Sequence, residues 1–166
     1  MNAVYAMTVP TLTRQLKGLL GILAKAQQFA ADRKFDESIL TSARLAPDMH
    51  ALARQIQITG DFAKGACARL TGVENPKYED SETSFAQLQA RIEKTLAFIQ
   101  GIDEKQFDGC EAREISLTLG GHDYTGLGAD YVRDIVFPHF YFHCCTAYAI
   151  LRHHGVPIGK LDYLGV

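Results

Sequence analysis

Apolar residues recur at intervals of three and four along four segments of the chain, the repeat of a helix with one buried face. The first segment runs from about Tyr5 to Ala31, where Tyr5, Leu12, Leu16, Leu19, Leu23, Ala26 and Ala30 form one stripe. Pro10 lies early in it, which suits a first turn. Asp32 to Leu45 is mixed and predicts a loop with a short helical turn. A second helix is expected from Pro47, with Asp48 at its positive end and a stripe of Met49, Leu52, Ile56, Ala63, Ala66 and Leu70. Gly72 then provides a stop. After a polar connection, Phe85, Leu88, Ile92, Thr95 and Ile99 mark a third helix, capped by Ser81 or Thr83 and ended by Gly101.

The period changes from Glu114 to Leu119, where polar and apolar residues alternate as in a strand. Gly120-Gly121 follows as a two-residue hairpin turn, and His122 to Thr125 is expected to return as the second strand. A lone hairpin is marginal, so it must pack on the helices. A fourth helix is predicted from Ala129 to His154. Pro138 inside it removes one donor and opposes the carbonyl of Asp134, which predicts a kink beside His139. The tail GVPIGKLDYLG carries too much Gly and Pro for a helix and is expected to lie across the surface. The pattern is that of an all-α chain, a four-helix bundle with a short β-hairpin before the last helix, in one domain spanning residues 1–166.

Composition adds bounds rather than a function. Hydrophobic residues make up 47% and charged residues 22%, and the formal charge is -2, so the basic excess of a nucleic-acid binder is missing. MNAVYAMTVPTLTRQLKG lacks the basic leader and apolar core of a signal peptide, and LLGILAKA is too short to span a bilayer. These features predict a cytoplasmic chain with no membrane contact. Cys67, Cys110, Cys144 and Cys145 match neither a zinc nor a disulfide spacing and read as free thiols.

The candidate chemistry lies in HFYFHCC. His139 and His143 are four apart, hence on one helical face. Val132, Ile135, Val136, Ala147 and Ile150 share their side, which directs both rings inward. Inward imidazoles need partners. Two at this spacing can share a metal ion, but two ligands alone are too few, and a core histidine can equally be satisfied by hydrogen bonds. A third ligand would come from another helix. His50 is the candidate, although periodicity sets it nearly opposite Leu52, Ile56 and Ala63, toward solvent. Gln55, Gln57 and Asp61 are weaker alternatives. His122, His153 and His154 read as turn and helix-end residues. No Walker spacing and no nucleophile elbow is present.

FPHFYFHCCTAYAILRHHGVPIGKLDYLG, RLAPDMHALARQIQITGDFAKGACARLTG and REISLTLGG together resemble an uncharacterised bacterial family of the DinB-like superfamily, over nearly the whole chain. The resemblance implies an up-down-down-up four-helix bundle, commonly a homodimer. It further implies a divalent metal such as nickel, zinc or iron on His50, His139 and His143. A thiol-dependent transferase or hydrolase activity would follow, with a low-molecular-weight thiol as cosubstrate. The alternative is a non-catalytic dimeric bundle or small-ligand-binding protein, in which His143 is a hydrogen-bond hub.

Overall fold

The computed structural model describes residues 2–166 and is mostly helical, with one two-stranded antiparallel sheet. Helix α1 spans Ala3–Arg33. The Asn2 side chain caps it by accepting from the Tyr5 N–H, and is itself held by donating to the Phe107 carbonyl. Its buried stripe includes Leu12, Leu16, Leu19, Leu23, Ala26 and Ala30, as the spacing predicts. Pro10 is not in the first turn. It sits inside the helix on the exposed side, where water can satisfy the carbonyl it leaves unpaired.

A short α2, Ser38–Thr41, fills the mixed segment. Helix α3 is Leu52–Thr71 and starts five residues later than Pro47 suggests. The reason is tertiary. The Leu52 N–H donates to the Ala43 carbonyl at 2.9 Å, which folds Leu45 to Met49 into turns instead of a helix. Gly72, at φ 81°, closes α3 in the left-handed region, where glycine carries no Cβ penalty. Helix α4, Phe85–Gln100, is capped by Ser84 rather than Ser81 or Thr83. Ser84 and Gln87 form a reciprocal capping box, an S-x-x-Q signature that outcompetes the neighbouring hydroxyls.

Strand β1, Glu114–Leu119, pairs with β2, His122–Leu127, so the return strand runs two residues beyond Thr125. Gly120 and Gly121 both have positive φ, as the tight turn requires. The hairpin is anchored through buried Ile115 and half-buried Leu117 and Tyr124. Next comes α5, Gly128–Tyr131, then a π turn over Val132–Val136, then α6, Phe137–His153. The π turn accounts for Pro138. Widening the helix by one residue lets the Phe137 N–H reach Val132, and Pro138 falls in the first turn of α6, where its missing donor costs least.

The tail does form a helix, contrary to its composition: α7, Lys160–Leu164, lies along α1. Gln15 donates to the Tyr163 carbonyl at 2.7 Å and Lys25 pairs with Asp162 at 2.5 Å. Gly18 lets the tail approach, since a Cβ there would stand 3.2 Å from the Asp162 carbonyl oxygen. These contacts supply what the local sequence lacks. Helix α3 packs against α4 and α6, and α1 packs mainly against α4. The core between them is continuous, from Leu12 and Leu16 through Ile56 and Ile92 to Phe140 and Ile150. Among the described residues, no helix is long and apolar enough to cross a membrane.

Candidate functional site

Helix α6 turns Phe140, Cys144, Ala147 and Ile150 into the core, all buried. His139 and His143 lie one step around the helix from Phe140 and Cys144, and both are half-buried. The expected inward placement is therefore met at the edge of the core rather than at its centre. The rings face α3, the helix most extensively packed on α6. Phe62 of α3 stacks on His139 with centroids 4.5 Å apart and planes 18° from parallel. The same ring reaches His143 at 6.4 Å. With Pro138 and Phe142, the two histidines line a small, mostly apolar cleft of about 360 Å³.

Hydrogen bonds fix which nitrogen of each ring is protonated. His139 Nδ1 lies 3.0 Å from the Ile135 carbonyl oxygen, which only accepts, so Nδ1–H donates. Gln55 is buried, and its Nε2 donates to the His50 carbonyl at 3.0 Å. That orients the amide so that Oε1 meets His143 Nδ1, 2.6 Å away, and this Nδ1–H also donates. In each neutral ring the lone pair then resides on Nε2. Among the described residues both rings make their hydrogen bonds through Nδ1 and none through Nε2. Burial lowers the His143 pKa to about 4, with the neighbouring His139, His50 and Arg54 adding to the effect. His143 is thus a neutral base at pH 7.

His50 is exposed, but it lies in the connection before α3 rather than on the helix whose periodicity pointed it toward solvent. Its hydrogen bond into the site is through its carbonyl, while its ring is near enough to add to the lowering of the His143 pKa. Gln57 turns away to donate to Glu82, and Asp61 pairs with Arg91 and Lys64. By donor chemistry the two Nε2 atoms suit a borderline divalent ion. A complete cage is another matter: among the described residues, no three His, Cys, Asp or Glu side chains gather closely enough to hold one. His122, His153 and His154 are exposed and do not line this cleft. All four cysteines are free. Burial raises the Cys67 thiol to about 12 and raises Cys144 as well, so neither is a ready nucleophile.

Sequence reasoning missed the roles of Gln55 and Phe62. They are seven apart on α3, two turns along one face, so their common direction was available. Their pairing with α6 was not.

The family model for a domain of unknown function, DUF1993, matches residues 4–164. A crystal structure of a DinB family member protein from Shewanella denitrificans is similar over 98% of this chain and 92% of that chain, at 41% identity and a TM-score of 0.91. No curated protein matches the chain. The chain belongs to the DUF1993 family and is DinB-like in fold, as the motifs in its second and fourth long helices indicate.

Proposed function

We propose that the four long helices form an up-down-down-up bundle of the DinB type and that its working site is the His139–His143 cleft. There the chain takes a divalent metal ion, nickel, zinc or iron, on the two Nε2 atoms, with His50 as third ligand. The reaction class is a thiol-dependent transfer or hydrolysis. The observation that carries this reading is the pair of fixed tautomers, both with Nδ1–H engaged and Nε2 left open. Ligating histidines are commonly held in this way by a carbonyl or carboxylate behind the ring.

The chain's own residues do the preparation. Gln55 sets the orientation and tautomer of His143, and the Ile135 carbonyl does the same for His139. Phe62 covers both rings and keeps water from one face. The depressed pKa keeps His143 unprotonated through neutral pH. A divalent ion bound there would lower the pKa of a water or thiol ligand and supply a nucleophile at pH 7. His50 must swing in from its turn to complete the set.

Equilibrium dialysis against nickel and zinc tests the reading. One ion per chain, lost in His139→Ala and His143→Ala and weakened in His50→Ala, supports it. Failure of the parent chain to retain either metal overturns it. A second reading, a non-catalytic homodimer or small-ligand protein, rests on a different observation. Phe142 is 55% exposed and Leu45 is 45% exposed beside an apolar cleft of about 420 Å³. Sedimentation of the metal-free chain as a dimer, with no metal uptake, would favour it.

A further inference from the structure

A different cleft, of about 650 Å³, lies between α3, the loop at residues 75–78 and the tip of β1. Its charged lining is Asp61, Lys64, Arg69 and Lys77, with Asn75 and Tyr78 among the polar residues beside them. Three cations thus meet one carboxylate. Asp61 is already shared, accepting from Arg91 at 2.9 Å and from Lys64 at 3.2 Å. Arg69 has no carboxylate: its Nη1 donates to the Tyr131 hydroxyl at 3.2 Å, and among the described residues it joins no ion pair. Lys77 joins none either. Further cations gather around the Tyr78 ring: the Lys64 and Lys94 ammonium groups lie 4.9 and 4.3 Å from its centre, and the Arg91 guanidinium 5.3 Å.

A Cβ on Gly65 would stand 2.6 Å from Arg69 Nη1 and 3.6 Å from Asn75 Nδ2. A glycine at 65 therefore makes the room in which the guanidinium lies beside Asn75. Lys64, only 5% exposed, donates to Asn75 Oδ1 at 3.3 Å, which leaves the Asn75 amide nitrogen, on the Gly65 and Arg69 side, as a further donor. Phe62, Leu117 and Leu119 belong to the apolar part of the lining. A half-buried guanidinium without a counter-charge, flanked by donors and an apolar wall, calls for an anionic ligand with an apolar body.

We propose that this cleft binds a small organic oxyanion, a carboxylate or phosphate monoester, with its head on Arg69, Lys77 and Asn75 and its apolar part against Leu117, Leu119 and Phe62. The site needs no metal and stands independently of the histidine cleft, with which it shares only the Phe62 wall.

The test is calorimetry on the full chain after EDTA treatment, at low salt, with benzoate, phenyl phosphate and neutral benzamide. At least one anion is expected to bind about tenfold or more tighter than benzamide. Tighter binding of benzoate assigns a carboxylate head, and of phenyl phosphate a phosphate head. Arg69→Gln should weaken that anion about tenfold and Lys77→Gln about threefold. Arg133→Gln, whose guanidinium is exposed and paired with Asp130 and Asp134, should bind like the parent. If Arg69→Gln unfolds through loss of its Tyr131 contact, exposed Lys77 decides. Equal binding of benzamide, no binding of either anion, or unchanged affinity in Lys77→Gln overturns the proposal.

Discussion

His143 makes the stability of this protein depend on acid in a calculable way. Its pKa falls from an ordinary 6.5 to about 4 in the folded chain, mainly because the ring is desolvated against Gln55 and Phe62. Between those values the unfolded chain binds a proton that the folded chain does not. Stability from this group is therefore complete above pH 6.5 and is lost as pH falls toward 4. The full gap would correspond to about 3.4 kcal/mol. The ring is only half-buried, so solvent screening reduces this to about 1–2 kcal/mol. His143→Asn keeps a donor for Gln55 Oε1 but cannot titrate. Urea unfolding of both chains at about pH 7.5 and about pH 4.5 isolates the effect, since every carboxylate contributes to both. The parent should lose about 1–2 kcal/mol more than the variant over that interval. Parallel losses, or an NMR titration midpoint of His143 near its ordinary value, would refute the reasoning.

Three further outcomes follow from the packing. Arg91 is 4% exposed and bridges Asp61, Asp80 and Glu82, so Arg91→Met should cost about 2–4 kcal/mol in urea unfolding, because three carboxylates lose one buried cation. A change under about 0.5 kcal/mol would contradict that role. Gly128→Ala would set a Cβ 1.9 Å from the Cys110 carbonyl oxygen and should cost about 3 kcal/mol or more, whereas Gly21→Ala, with open space around it, should stabilise α1 by about 0.5–1 kcal/mol. Thermal melts of the two variants must move in opposite directions. Gln55→Leu should release His143 into a mixture of tautomers, visible as a change in its ring nitrogen shifts, while His139 stays protonated on Nδ1.

The periodic parts of the chain were legible because burial imposes the period. Leu12, Leu16, Leu19 and Leu23 reveal α1 without any knowledge of their partners, and Gly120-Gly121 places the hairpin turn to the residue. What escaped depends on contacts between distant segments. Pro47 and Asp48 look like a helix start, yet the bond from Leu52 to Ala43 moves the start of α3. Gly159 and Pro157 argue against a helix in the tail, yet Gln15, Gly18 and Lys25 on α1 hold α7 in place. The histidine pair was visible from its spacing of four. Gln55, 88 positions from His143, was not visible as its partner, because no local pattern tells which face of α3 meets α6. The cationic cleft was hidden for the same reason, since Lys64 and Arg69 gain their meaning only beside Asn75 and Lys77.

The most direct test of the histidine site is an anomalous scattering map from crystals of the nickel-loaded chain. A single peak about 2.0–2.2 Å from Nε2 of both His139 and His143, with the His50 ring drawn in beside it, is the predicted result. A map with no peak between those two rings, or with the ion bound elsewhere, would contradict the account.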